Sequence, residues 1–149
     1  SLHDALPISA ALTAAETGHL VFSTLHTSGA ARTVDRIIDV FPSDAQEQIR
    51  VRLASLLRAV ITQKLLPLAD GPGRVAATEI MIANNAVHNL IREGKAYQLP
   101  AVIHSNAALG MHSMEADLAS LVRAGLLTPQ VALENAPDAS ELQRLLQRD

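Results

Sequence analysis

The chain has 149 residues, no cysteine, and 12 Lys and Arg against 15 Asp and Glu, for a formal charge of −3. That length suits one domain or part of one, and the missing cysteine excludes disulfides, thiolate zinc sites and cysteine nucleophiles. The acidic balance and the scarcity of aromatics (Phe22, Phe41 and Tyr97) argue against a nucleic-acid partner bound by phosphate neutralisation or base stacking. With 48% apolar and 18% charged residues, the composition is that of a globular protein rather than a disordered one. No apolar run reaches the roughly 18 residues that membrane insertion needs. Neither does a basic stretch lead into an apolar one at the start, so no secretory signal is expected. A cytoplasmic location fits these features.

Residues 1–9 (SLHDALPIS) stand apart from the rest of the chain, lack an initial Met, and resemble a translated sequencing-adapter tail. They are read as a non-native tail and left out of fold reasoning. Ala10–Glu16 reads as the end of a helix stopped by Thr17-Gly18. Leu20–Thr24 comes next as a short apolar run between Gly18 and a polar cluster, the pattern of a buried strand. His26-Thr27-Ser28-Gly29 makes a small polar loop. Ala30–Asp39 is a helix with Val34, Ile37 and Ile38 on one face, ended by Phe41-Pro42. A long helix is predicted over 44–63 from the spacing of Ile49, Leu53, Leu56, Leu57, Val60 and Ile61, with Ser43 or Asp44 as its cap. Gln63–Leu68 and Arg74–Ile82 read as two strands joined through Asp70-Gly71-Pro72-Gly73, a hairpin. Helices are then predicted over 86–93, 95–106, 111–123, 129–135 and 140–147, punctuated by Gly94, Gly110, Gly125 and Pro129.

The first place where chemistry could sit is the end of the Leu20–Thr24 strand. In open α/β sheets ligands bind just past the carboxyl ends of strands. Thr24, His26, Thr27 and Ser28 occupy that position. An imidazole there can donate to a phosphate or orient a water, and a solvated polar loop is the alternative. His19 lies seven residues before His26, about 20 Å along an extended chain, so the two cannot share a metal without a fold-back. No HExxH or other zinc spacing occurs among the histidines, and no metal site is expected. The phosphate-cradling pattern GxxxxGK[ST] is absent: Gly94-Lys95 is followed by Ala96. A triad drawn from Ser28, His26 and Asp35 has no GxSxG elbow to support it. Glu79 should share a strand face with Val75, Ala77 and Met81, either solvated or salt-bridged. Asn84–Gly94 is a packed surface helix, or else a moving lever or subunit contact.

Ala11–Pro42 (ALTAAETGHLVFSTLHTSGAARTVDRIIDVFP) closely resembles the secretion and type IV pilus motor ATPase family. Glu79–Ile82, Ala86–Gly94 (AVHNLIREG) and Leu109–Met111 resemble its twitching-motility retraction branch. Together the similarity covers about residues 10–125. It implies an α/β fold: 10–82 as the C-terminal part of a RecA-like ATPase core, with few sheet strands and a β-hairpin, and 83–149 as a helical C-terminal subdomain. A homohexamer is implied, using ATP and Mg2+ and acting on an inner-membrane pilus platform protein from the cytoplasmic side. His19 and His26 match the family's two box histidines and are implied as its catalytic residues, the second near the nucleotide γ-phosphate, with Thr24 and Thr27 beside it as cofactor-binding residues. Val87, His88, Asn89, Leu90, Ile91, Arg92 and Glu93 match the retraction helix, where His88 departs from the usual Arg. His is mostly neutral at pH 7, which puts a charge-dependent contact in doubt.

The family's Walker A loop, acidic box and Walker B carboxylate precede the region matched by Ala10. On that resemblance the chain is a piece of the motor, inactive alone because phosphate cradling and Mg2+ supply most of the rate. Without the other strands, Leu20–Leu25 lacks a neighbour on at least one side. Alternatives are a pilus-assembly or type II secretion ATPase, a degenerate ATPase without turnover, or a stand-alone helical interaction module. The secretion branch commonly carries a four-cysteine insert, which this chain lacks.

Overall fold

The computed structural model describes residues 2–148. In chain order its elements are α1 (Leu2–Glu16), α2 (Ala30–Asp39), α3 (Gln46–Leu56), β1 (Ala59–Pro67), β2 (Arg74–Ile82), α4 (Asn85–Arg92), α5 (Leu99–Ser105), α6 (Met114–Arg123), α7 (Pro129–Asn135) and α8 (Ala139–Leu146). Short 3-10 turns lie at Ala96–Gln98 and Ala107–Leu109. Among the described residues the sheet is two-stranded, β1 beside β2, so the fold is mixed α/β with a hairpin and a helical C-terminal part. Two compact units form by contact rather than by sequence order. Among the described residues, one holds those up to Val60 with Ile82–Val102, the other Ile61–Met81 with those from Ile103 onward. Most of the hairpin, assigned by sequence to 10–82, therefore groups with α6–α8.

In the first unit, apolar residues at helical spacing define the buried faces. α2 buries Ala30, Val34 and Ile38, each four residues on from the last. α3 buries Ile49, Leu53 and Ala54, and α4 buries Val87 and Ile91. The Arg52 guanidinium on α3 donates to both Glu16 carboxylate oxygens on α1, at 2.6 and 3.0 Å, and to Thr13 Oγ1 at 3.4 Å. α4 starts with the Asn84 side chain accepting from the Val87 N–H at 3.0 Å. It ends on Gly94, whose φ of +71° a side chain would resist. There Gly94 N–H donates to the Ile91 carbonyl and Lys95 N–H to the Leu90 carbonyl.

In the second unit the two strands bury alternate residues. Thr62 and Leu66 turn inward on β1, Ala77 and Met81 on β2. Leu66, Ala77, Met114, Leu118, Ala119, Leu127, Ala132 and Leu142 form one buried cluster. Ser113, Thr128 and Asp138 cap α6, α7 and α8 through their side-chain oxygens. Lys64 Nζ donates to the Asn135 carbonyl at 2.7 Å, satisfying the C-terminal end of α7 from the hairpin.

Several expectations need correction. Leu20–Thr24 is not a buried strand: it has no regular structure, and Leu20 and Phe22 are 76% and 88% exposed. A strand needs a ladder partner, and none of the described residues supplies one. The helix predicted over 44–63 stops at Leu56, and Leu57 turns to an extended conformation. Val60, Thr62 and Leu66 follow period two, not 3.6, and the β-branched run Val60-Ile61-Thr62 favours the strand. Neither Ser43 nor Asp44 caps α3; Ala45 holds that position without a side-chain bond. The 95–106 segment divides into a 3-10 turn and α5. The helix expected from Met111 begins at Met114, because His112 pairs with β2 instead. Residues 2–9 are helical, and α1 runs unbroken through the Ser9–Ala10 junction. Glu79, by contrast, lies where expected, half-buried on the face that carries Ala77 and Met81.

Candidate functional site

The loop from His19 to Gly29 connects α1 to α2 and carries the site residues named from sequence. His19 follows the positive-φ Gly18 that ends α1. Its N–H donates to the Ala14 carbonyl, and its ring Nδ1 lies 3.2 Å from both that carbonyl and Thr17 Oγ1. His19 thus caps the end of α1. Thr24 and His26 are exposed. Thr27 is half-buried and anchored: Thr33 Oγ1 donates to the Gly29 carbonyl at 2.8 Å, so the Thr27 hydroxyl donates to Thr33 Oγ1 at 2.7 Å. Arg32 Nη1 donates to Ser28 Oγ at 3.4 Å. The loop is therefore held at the start of α2 by Thr27, leaving His26 and Thr24 open on its outer side. No hydrogen bond brings His19 and His26 together.

The chemistry of this loop suits phosphate oxygens. The His26 imidazole and the Thr24 hydroxyl can both donate to an anion, while the Thr27 proton is taken up by Thr33. A divalent cation fits poorly, since Thr24–Ser28 contains no carboxylate. Among the described residues no group of three or more His, Asp or Glu could hold a metal ion. Thr33 was not singled out from sequence, although its place in the first turn of α2 offers a hydroxyl for back-bonding to Gly29.

The second feature is α4. Val87 and Ile91 are buried, His88 and Leu90 half-buried, and Asn89, Arg92 and Glu93 exposed. His88 Nε2 lies 3.4 Å from the Leu57 carbonyl, just where α3 gives way to β1. Arg92 Nη1 donates to Asn89 Oδ1 at 2.9 Å. The Lys95 ammonium bonds Glu93 at 2.8 Å and holds its carboxyl below the usual range, first by hydrogen bond and then by charge. The helix offers one face to the core and a polar, mixed-charge face outward. No helix among the described residues is long and apolar enough to cross a membrane.

Comparison with known proteins identifies the family of the chain. The sequence profile of the family described as "Type II/IV secretion system protein" matches residues 2–95. A twitching motility protein of Neisseria gonorrhoeae is 53% identical over 141 residues, covering 95% of this chain and 38% of that protein. The "Type IV pilus retractation ATPase PilT" of Pseudomonas aeruginosa is 47% identical over 135 residues, covering 91% of this chain and 39% of that protein. Among solved structures, the pilus retraction motor PilT with bound ADP superposes with a TM-score of 0.82 at 45% identity, over 92% of this chain and 38% of the other. The chain thus spans somewhat under two fifths of the length of the relatives it matches.

Proposed function

The chain belongs to the type II/IV secretion system protein family, and from that premise we propose that it forms the C-terminal part of an ATP-hydrolysing motor that retracts type IV pili. The observation that carries this reading is similarity to a twitching motility protein over 95% of the chain, through both the His19–Gly29 loop and α4. The motor works as a homohexamer on an inner-membrane platform protein, peripheral to the membrane on the cytoplasmic side. ATP and Mg2+ are held chiefly by residues outside this chain, since its own loop offers donors to phosphate and no carboxylate to a cation.

Within that reading, His26 is the catalytic imidazole that meets the terminal phosphate, and Thr24 and Thr27 supply hydroxyls beside it. Thr27 keeps the loop in place through Thr33. His19 shapes the entry to the loop from the end of α1. The outward face of α4, with Asn89, Arg92 and Glu93, transmits the motor's movement, while Val87 and Ile91 seat the helix and His88 ties it to Leu57.

The test is ATP hydrolysis by the full-length gene product. His26→Ala should lower kcat by roughly 10²–10³-fold, the usual loss of one preorganised donor to developing charge. Arg92→Ala should leave hydrolysis intact and abolish twitching in cells. Hydrolysis at the parent rate with His26→Ala overturns the assignment of that residue.

A further inference from the structure

Thr78, His112 and Asp117 form a half-buried polar cluster away from the His19–Gly29 loop and α4. Asp117 Oδ2, in the first turn of α6, accepts from the Thr78 backbone N–H at 2.7 Å and from the Thr78 hydroxyl at 3.1 Å. Thr78 Oγ1 lies 2.9 Å from His112 Nε2. The hydroxyl has one proton. With that proton given to Asp117, the oxygen must accept from an Nε2–H, and this fixes the histidine tautomer. The direction is opposite to nucleophile activation, where the imidazole takes the hydroxyl proton. The cluster is therefore a structural device and not a triad.

Its place in the sheet explains its use. Leu68 N–H to the Gly73 carbonyl and Ala83 N–H to the Arg58 carbonyl bracket the β1–β2 ladder. By the alternation of an antiparallel pair, Ala77, Glu79 and Met81 then turn their N–H groups toward β1, and Thr78 and Ile80 turn theirs to the outer edge. Ile80 and His112 exchange both backbone bonds there, at 3.0 and 3.2 Å. The Thr78 N–H goes to the Asp117 carboxylate. The negative charge also suits the N-terminal end of α6. A second carboxylate of the same turn, the buried Glu115, accepts from the Asp138 N–H at 2.9 Å and so ties down the start of α8.

We propose that Asp117 is a latch: its carboxylate takes the place of a neighbouring strand on the outer edge of β2, closes that edge, and fastens α6 to the hairpin, with His112 orienting the Thr78 hydroxyl. The C-terminal helices and the hairpin then move together. Any strand added to the sheet has to join at β1. An uncovered edge would invite mispairing with another chain, and a carboxylate bonded to its N–H is one way to prevent it.

Amide hydrogen exchange resolved by residue tests this on the 149-residue chain. Asp117→Ala should speed exchange at Thr78 on the order of tenfold or more, the loss of a charge-assisted bond, while Ala77 and Glu79 stay protected by β1. Thr78→Val, which keeps the backbone bond, should leave its own amide slow. Should the alanine variant fail to fold, Asp117→Asn replaces it, a neutral acceptor with a weaker bond and a smaller but measurable speeding at residue 78 alone. Unchanged exchange at Thr78 in the alanine variant, or in the asparagine variant where that replaces it, overturns the latch. So does equal acceleration at residues 77, 78 and 79.

Discussion

Replacing Leu118 by Ala tests the packing of the second unit. Leu118 is fully buried, its exposure 0%, and lies in the cluster with Leu66, Met114, Leu127 and Leu142. Removing its three outer carbons loses their transfer free energy and leaves a cavity that neighbours on three elements fill only in part. Such substitutions cost about 2–5 kcal/mol. Against a total stability of about 5–15 kcal/mol for an ordinary domain, that is a large share. At about 2–4 °C per kcal/mol for a chain of this size, a loss near 3 kcal/mol lowers Tm by roughly 6–12 °C. The assay is thermal and urea unfolding followed by circular dichroism, with Leu65→Ala as control. Leu65 lies on the same hairpin but is 54% exposed, and its replacement should fall within about 0.5 kcal/mol of the parent. A Leu118→Ala variant that loses under about 1 kcal/mol, or no more than the Leu65 control, would refute the packing account.

Gly94→Ala places a side chain at φ +71° with its nearest foreign atom, Arg50 Nε, at an ordinary 3.6 Å, so its cost is backbone strain. A loss of about 1–2 kcal/mol is expected, with Gly94→Asn losing less because Asn tolerates that conformation. Thr128→Ala removes the oxygen that accepts from the Val131 N–H and should cost about 1 kcal/mol in urea unfolding. The Arg52 hydrogen bond lowers the Glu16 carboxyl below its ordinary 4.5. A depressed carboxylate adds stability above its unfolded pKa and loses it as pH falls through the folded one. The stability difference between the parent and Arg52→Ala should therefore be full above pH 4.5 and shrink in more acid solution. A difference that grows on acidification contradicts the ion pair.

Some of this was legible in the sequence because local and tertiary signals agree. Ala30–Asp39, Arg74–Ile82 and Pro129–Asn135 fall where the pattern puts them: apolar residues four apart, a Gly-Pro-Gly turn before a strand, a Pro at the first helical position. Val60 and Ile61 misled because a short apolar run satisfies either period, and only the partner strand decides. Leu20–Thr24 has the composition of a buried strand and lies uncovered for want of neighbours. The caps Asn84, Ser113, Thr128 and Asp138 each precede a helix and had a readable signal. At the site, the position of His26 and Thr27 just before α2 is evident from the sequence, whereas the Thr27–Thr33 bond needed the helix register. The Thr78, His112 and Asp117 cluster joins residues 34 and 39 positions apart, a separation no local pattern spans.

Reading the gene across the Ser9–Ala10 junction tests whether these residues are part of a pilus-retraction ATPase. A motor origin requires in-frame codons upstream for a phosphate-cradling Gly-rich loop and a magnesium-binding carboxylate. A start codon immediately before SLHDALPIS, with neither motif encoded, would contradict it.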